Sequence, residues 1–472
     1  LRRWAFQCTI QSYMRRTATY LIPLLVTIFL FLSGDTMGYT VGVTTGKVVD
    51  SFTKGPIKGA FVTVNNEVVV TDEQGIFRVK ASGDKVAVRA HGYLRTEQKL
   101  ASPLITLPFL TSPQQIELTA FTPRALYLSF YGIGSRILRG SALKLMEETE
   151  VNSLVIDVKG DRGNLTYRSS IPLVSEVGGQ KLIIVKDIKG LIKSLKEKGV
   201  YTIARIVVFK DNPLAIAKPD WAAKTAGGET WHDREHLAWV DPFRKEVWDY
   251  NISIAVEAAQ NGFDEIQFDY VRFPDASGVV FSMPNTEENR INAVTGFLKE
   301  ARRRLTPYNV FLSADIFGYV CWNLNDTKIG QRLEDLVPHL DYLSPMLYPS
   351  GFQYGIPGYR IPVANPHEIV YLSLKKALER AHVSPVRFRP WLQAFRDYAF
   401  DRRDFKGQAI SEQIKAAEKI GSHGWMLWNP RNVYTQEGLK RRDSLFANQP
   451  NKADSSPAAF GSLQVTPANA SQ

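Results

Sequence analysis

The stretch GFDEIQFDYVRFPD, Gly262–Asp275, decides how the rest of the chain is read. In an extended strand successive side chains point to opposite faces, so Ile266 and Phe268 share one face while Glu265, Gln267 and Asp269 share the other. A segment this apolar is built to be buried, and burying unpaired carboxylates is costly. The strand therefore belongs to a fold that needs carboxylates inside, and it ends abruptly in Tyr-Val-Arg-Phe-Pro.

Outward from that strand, from Phe121 onward, short apolar runs alternate with helical stretches, the pattern of parallel βα units. Eight strands are expected: ALYLSFYG (125–132), SLVIDVKG (153–160), YTIARIVVFK (201–210), DEIQFDYVRF (264–273), VFLSADIFGY (310–319), YLSPMLYPS (342–350), RFRPWLQAF (387–395) and GWMLWNP (424–430). Helices are expected in DPFRKEVWDYNISIAVEAAQN and ENRINAVTGFLKEARRRL between them. Eight such strands over roughly 320 residues predict an α/β fold, a (β/α)8 TIM barrel spanning 122–447.

Before the barrel, TGKVVD, GAFVTVNN, EVVVTDEQGIFRVK, KVAVRAHGY and QQIELTAF are short β-branched runs separated by Gly, Asn-Asn and Asp-Glu-Gln-Gly turns. They predict a small all-β sandwich over 43–120. This run resembles the carboxypeptidase regulatory-like domain, an accessory module of exported proteins. Asp72 and His91 are accordingly expected to be turn and surface residues.

From Met14, two arginines precede an uncharged apolar run of signal-peptide length, so residues 1–38 read as a leader, cleaved or retained as a membrane anchor. The expected location is extracytoplasmic: periplasmic, secreted or held at the membrane by that segment. Cys8 lies before the apolar run, leaving Cys321 as a lone small buried side chain. The Pro/Ser/Ala/Asn-rich tail, 448–472, is expected to be disordered. The formal charge of +11 is dispersed, without a Lys/Arg stripe interleaved with aromatics, so no nucleic-acid partner is expected.

In a barrel of this kind the active site lies at the C-terminal ends of the strands. Strand two places Asp157, Lys159 and Asp161 on one face by alternation; strand three carries Arg205, strand four Glu265, Gln267, Asp269 and then Arg272, and strand five Asp315. Strands six to eight supply Tyr348, Gln393 and Asn429. Aromatic residues crowd the same rim: Tyr131, Trp239, Tyr270 and Trp322, with Trp391, Trp425 and Trp428 on the last two strands. Indole faces beside carboxylates suit a sugar, whose C–H face stacks while its hydroxyls take charged hydrogen bonds.

Taken together, WVDPFRKEVWDYNISIAVEAAQNGFDEIQFDYVRFPD, LSADIFGY, DYLSPMLYPS and GWMLWNP resemble the bacterial glycoside-hydrolase family long catalogued as a domain of unknown function. Its fourth strand is similar to that of α-amylase-like barrels. The resemblance implies that Asp269 is the nucleophile and that the general acid stands at the end of strand five, where this chain has Asp315 in place of the glutamate of the α-amylase pattern. Asp157 and Asp161 are the reserves, and Glu265 is either structural or shares the proton.

Glycoside cleavage needs two carboxyl groups flanking the scissile bond, about 5–5.5 Å apart for retention. Neighbouring strands lie about 4.8 Å apart, so Asp269 and Asp315 can meet that distance. Arg205 and Arg272 are expected to keep Asp269 ionised, with Lys159 and Gln393 on sugar hydroxyls. WHDREH sets His232 and His236 four apart but lacks the glutamate of a zinc helix and reads as a substrate-facing loop. No G-x-S-x-G elbow, Walker loop or dinucleotide fingerprint stands at a strand end, so serine-hydrolase and nucleotide-dependent chemistry are not expected, and with WHDREH lacking a zinc glutamate the expectation is neither a cofactor nor a metal. The expectation is an exported glycosidase acting on an envelope or extracellular polysaccharide. Its rival is a catalytically inactive carbohydrate-binding barrel in an envelope assembly.

Overall fold

The computed structural model describes residues 44–80, 83–99 and 114–443; the leader and the tail lie outside them. Seven strands come first: β1 (Thr44–Asp50), β2 (Phe61–Val64), β3 (Glu67–Val70), β4 (Ile76–Val79), β5 (Lys85–Arg89), β6 (Thr96–Lys99) and β7 (Gln114–Leu118). They form two sheets, ordered β4-β1-β7 and β3-β2-β5-β6. The inward residues of both, among them Val48, Val62, Phe77, Val88 and Ile116, share one core. The expected third run is two strands. Asp72 divides them, its side chain accepting the N–H groups of Gln74 (3.0 Å) and Ile76 (2.8 Å). β6, sequence TEQK, has no apolar alternation and is held by backbone pairing to β5.

The next eight strands are those of the predicted barrel: β8 (Arg124–Leu128), β9 (Ser153–Lys159), β10 (Tyr201–Val207), β11 (Glu265–Asp269), β12 (Phe311–Phe317), β13 (Tyr342–Met346), β14 (Trp391–Gln393) and β15 (Trp425–Trp428). Each pairs in parallel with the next, and β15 closes on β8. At that seam Gly424 has φ +75°, and a Cβ there would meet the Pro123 carbonyl at 1.7 Å, so only glycine admits the closure. Outward-facing residues pack under the helices. Phe268 of β11, for example, meets Phe297 of the helix Glu287–Leu305 edge-on, ring centroids 4.9 Å apart. Thr286 caps that helix by accepting the Asn289 N–H at 3.2 Å.

The sandwich sits against the N-terminal end of the barrel. Asn309, just before β12, donates to the Phe61 carbonyl (3.2 Å), Thr63 Oγ1 (2.9 Å) and the Ala87 carbonyl (3.2 Å). Arg89 of β5, fully buried, lies 3.5 Å from Asp341 and 4.4 Å from the Phe61 ring centroid. His91 also faces Asp341, at 3.5 Å, so it is an interface residue rather than a surface one. Burial would raise the Asp341 pKa, but the Arg89 and Arg302 charges outweigh it and hold the group well below the usual carboxylate range. The all-β unit thus covers the end of the barrel away from the strand C-termini.

Candidate active site

Alternation along β9 to β12 sends one column of side chains into the barrel from each strand, and their topmost members, all polar, converge above apolar neighbours such as Val155, Ile203 and Phe311. Arg205 of β10 is buried at the centre. It donates from Nε (2.9 Å) and Nη2 (2.6 Å) to Asp269 Oδ2, from Nη1 to Asp157 Oδ1 (2.7 Å), and from Nη2 to Asp161 Oδ1 (2.7 Å). Asp269 turns its other oxygen to the Tyr270 N–H, 2.6 Å away. Such charge-assisted pairs are short and directional, so the guanidinium fixes Asp269 in place.

Asp315 has a different environment. It is the next residue of β12 beyond the paired Phe268 and Ala314, which sets it beside Asp269 on the neighbouring strand. Burial, and then the negative charge of Asp269, push its pKa well above the usual carboxylate range. Its side chain accepts the Trp391 Nε1–H, 2.7 Å from Oδ1. Asp157 is also raised, to about 6, by burial first and by Asp161; Arg205 opposes the rise. Asp157 additionally accepts the Tyr127 hydroxyl (2.8 Å) and the Phe130 N–H (2.9 Å) on Oδ2.

Asp269 and Asp315 open into a cavity of about 230 Å3, walled by Tyr270, Tyr348, Trp391 and Trp428, with Arg205 and Arg272 at its edge. Trp428 stacks on Tyr127 at 3.9 Å between centroids. Tyr270 has φ +49°, an uncommon conformation for a bulky residue. The turn it makes directly after Asp269 brings its ring against Trp239, centroids 5.6 Å apart. Arg272 lies with its guanidinium 4.4 Å from the Phe317 ring and 5.0 Å from Tyr270, and donates to the Phe273 carbonyl. It is an aromatic-stacked wall more than a partner of Asp269.

Asp269, Asp315, Arg205, Arg272, Tyr348, Trp391 and Trp428 therefore meet in one place, with Asp157 next to them. Other expected site residues do not join them. Glu265 is at the opposite end of its column, fully buried, accepting two bonds from Arg389 Nη1 (2.9 and 2.8 Å), one from Ser313 (2.5 Å) and one from Tyr201 (2.9 Å). Lys159 leaves the inner face because the β9–β10 register slips between Arg205 and Ile206. It points under the helices to Asp211 (2.5 Å) and Asn251 (2.6 Å).

Gln393 is buried in a loop brace, exchanging hydrogen bonds with Ser350, and Asn429 ties its own turn to the Ala394 and Val433 carbonyls. Trp239 is buried behind Tyr270, its indole N–H on Asp233 at 3.0 Å. Trp425 is core, and Trp322 anchors a loop through Ser373. The residue not singled out was Tyr127, which holds Asp157 and backs Trp428; its place on the inner face of ALYLSFYG by alternation was the available signal. In WHDREH, Asp233 folds the loop by accepting the Glu235 and Leu237 N–H groups, and Lys210 bridges Asp233 (3.1 Å) and Glu235 (2.8 Å). Among the described residues no His/Cys/Asp/Glu cluster has the arrangement of a metal site, and no helix is long and apolar enough to cross a membrane.

Comparison with known proteins adds a family. Residues 125–434, more than half of the chain, match the family model described as "Putative glycosyl hydrolase domain", and the chain belongs to that family. It is similar to the solved structure of a hypothetical protein from Ruminiclostridium thermocellum ATCC 27405, at 38% identity over 40% of this chain and 96% of that one, with a TM-score of 0.37. It is similar also to the PgaB (BpsB) glycoside hydrolase domain from Bordetella bronchiseptica, at 14% identity over 68% of this chain and 99% of that one, with a TM-score of 0.49. Similarity to a class V chitinase from Pseudomonas fluorescens Pf-5 is 13% identity over 68% and 96%, with a TM-score of 0.40. No curated protein matches.

Proposed function

We propose that this member of the glycosyl hydrolase family cleaves O-glycosidic bonds of an envelope or extracellular polysaccharide, with Asp269 as nucleophile and Asp315 as acid/base. The observation that carries the reading is the pairing of two buried carboxyl groups in unlike environments, one hydrogen-bonded to a guanidinium and one held protonated by burial and by its neighbour's charge. Carboxyl pairs whose surroundings push their protonation apart are how one site supplies an acid and a base at the same pH.

The geometry supports the following roles. The protonated Asp315 gives its proton to the glycosidic oxygen as the C–O bond breaks, and an Asp269 oxygen bonds to the anomeric carbon. The now ionised Asp315 takes a proton from water, whose oxygen displaces Asp269 and restores both groups. Adjacency on neighbouring strands supports the double-displacement, retaining course. Arg205 must release part of its hold on Asp269 Oδ2 as that oxygen, or its geminal partner, loses charge to the sugar. Asp161 and Asp157 are beside it to take up the guanidinium. Export is proposed on the leader-like run before residue 38.

The test is reducing-end release by the purified full chain from a panel of bacterial and plant polysaccharides, with Asp269→Asn and Asp315→Asn alongside. Each variant is expected to lose about 10²–10⁴ in kcat. Saturable glycan binding with no release by any of the three proteins would replace this reading with the inactive, carbohydrate-binding barrel.

A further inference from the structure

The cavity that holds Asp269 and Asp315 is the middle of a longer hollow. At about 230 Å3 it is smaller than the roughly 300–1,000 Å3 of pockets that enclose a small ligand whole. Through Phe317, Met346 and Tyr348 it runs into a second cavity of about 680 Å3 beneath the loops that follow β12, β13 and β14. On the other side it shares Trp428 with a third hollow of about 220 Å3, formed by the loops after β8 and β9. The two carboxyl groups lie between two arms, not at the blind end of one.

Each arm carries an aromatic ring left in water on an anchored backbone. In the larger arm Tyr354 is 93% exposed, yet its N–H is bonded to the Tyr319 hydroxyl at 3.0 Å. Tyr398, 49% exposed, follows Asp397, whose side chain accepts the N–H groups of Ala399, Phe400, Asp401 and Arg402. In the smaller arm Tyr131 is 61% exposed and rests edge-on against Phe130, centroids 5.0 Å apart. Rings that forgo burial while their backbone is fixed are suited to stacking on the C–H faces of sugars.

Resting on the glycosidase reading of the same site, we infer that the enzyme is endo-acting. A glycan chain lies across the barrel mouth and is cut internally, with the longer part held on the β12–β14 side by Tyr354 and Tyr398 and the shorter part on the β8–β9 side by Tyr131. A substrate confined to the central cavity would leave both arms empty.

The test follows the products of the full chain on a soluble polymer that it cleaves. Viscosity is expected to fall well ahead of reducing-end release, and oligomers of several lengths to appear in the first time points. A single short product from the outset, with polymer length nearly unchanged, overturns the inference. If none of the panel is cleaved, the glycosidase reading fails and the arms are tested by calorimetry with cello-, xylo-, chito- and malto-oligosaccharides. Affinity for one series is then expected to rise about tenfold or more from the disaccharide to the hexasaccharide, and Tyr354→Ala to remove most of that gain. A lack of cleavage removes the endo mode along with the glycosidase reading, and affinity independent of length, or no binding of any series, then also overturns the placing of a glycan chain across the two arms.

Discussion

Replacing Asp157 by asparagine tests the electrostatics of the barrel mouth directly. The carboxyl is buried, shares one guanidinium with Asp161 and Asp269, and has its pKa raised from 3.8 to about 6. Because the folded-state value lies above the unfolded one, the folded protein holds the proton more tightly. The resulting stabilisation is complete below the unfolded pKa of 3.8 and is lost as pH rises through about 6. A rise of this size corresponds to ~3 kcal/mol at roughly 1.4 kcal/mol per pH unit. Asparagine cannot titrate, so the stability of the wild type minus that of Asp157→Asn should fall by ~3 kcal/mol between about pH 3 and pH 7.5. Urea unfolding followed by tryptophan fluorescence is the assay, since every tryptophan among the described residues lies in the barrel. A difference that stays flat with pH, or grows as pH rises, would refute the claim that burial and the Asp161 charge outweigh the pull of Arg205 on Asp157.

Two further outcomes separate catalytic from structural roles. The kcat/KM profile should be a bell whose alkaline limb is the loss of the Asp315 proton; Trp391→Phe removes a hydrogen bond that favours the charged form, so that limb should move to higher pH, and a limb that stays put or moves down contradicts the assignment. Glu265→Gln leaves Arg389 buried without its counter-charge and should cost about 3–5 kcal/mol in urea unfolding, while kcat of the folded protein changes less than about twofold; a collapse of kcat at undiminished stability would place Glu265 back among the reacting groups.

Much of this arrangement was legible because a parallel barrel repeats one rule eight times. Ile266 and Phe268 had to face the helices, so Asp269 had to face inward, and the same reasoning brought in Arg205 and Asp315. Alternation gives the face but not the height. Glu265 and Asp269 share a face, yet four residues of strand separate them by roughly 13 Å, and only Asp269 reaches the mouth. The rule also fails across a slip in register, which is why Lys159 turns outward although Asp157 points in. β6 was unreadable for a third reason: TEQK has no apolar face, and its place comes from backbone hydrogen bonds that any sequence can make. Strand-end residues such as Gln393 and Asn429 looked like sugar ligands because the groups that bind sugar hydroxyls also bind protein hydroxyls and carbonyls, and here Ser350 and the Ala394 and Val433 carbonyls take them.

The two ends of the barrel carry similar residues and differ in their charge balance. At the closed end Glu265 is matched by Arg389, and Asp341 by Arg89 and Arg302, with the sandwich covering that end. At the open end Asp157, Asp161 and Asp269 share Arg205, Asp315 makes no ion pair among the described residues, and Arg272 is stacked among rings. An ion-pair layer that served only stability would gain from a second arginine or from one fewer acid, since each unmatched buried carboxyl is held at a cost. An excess of acid among buried groups keeps at least one carboxyl protonated near neutral pH, and a protonated carboxyl beside an ionised one is the equipment of proton transfer to a leaving oxygen. The imbalance rests on Asp157 and Asp315, whose protons burial and neighbouring acids hold in place, so Asp157→Asn and Asp315→Asn should each raise stability in urea unfolding near neutral pH while the second lowers kcat far more than the first.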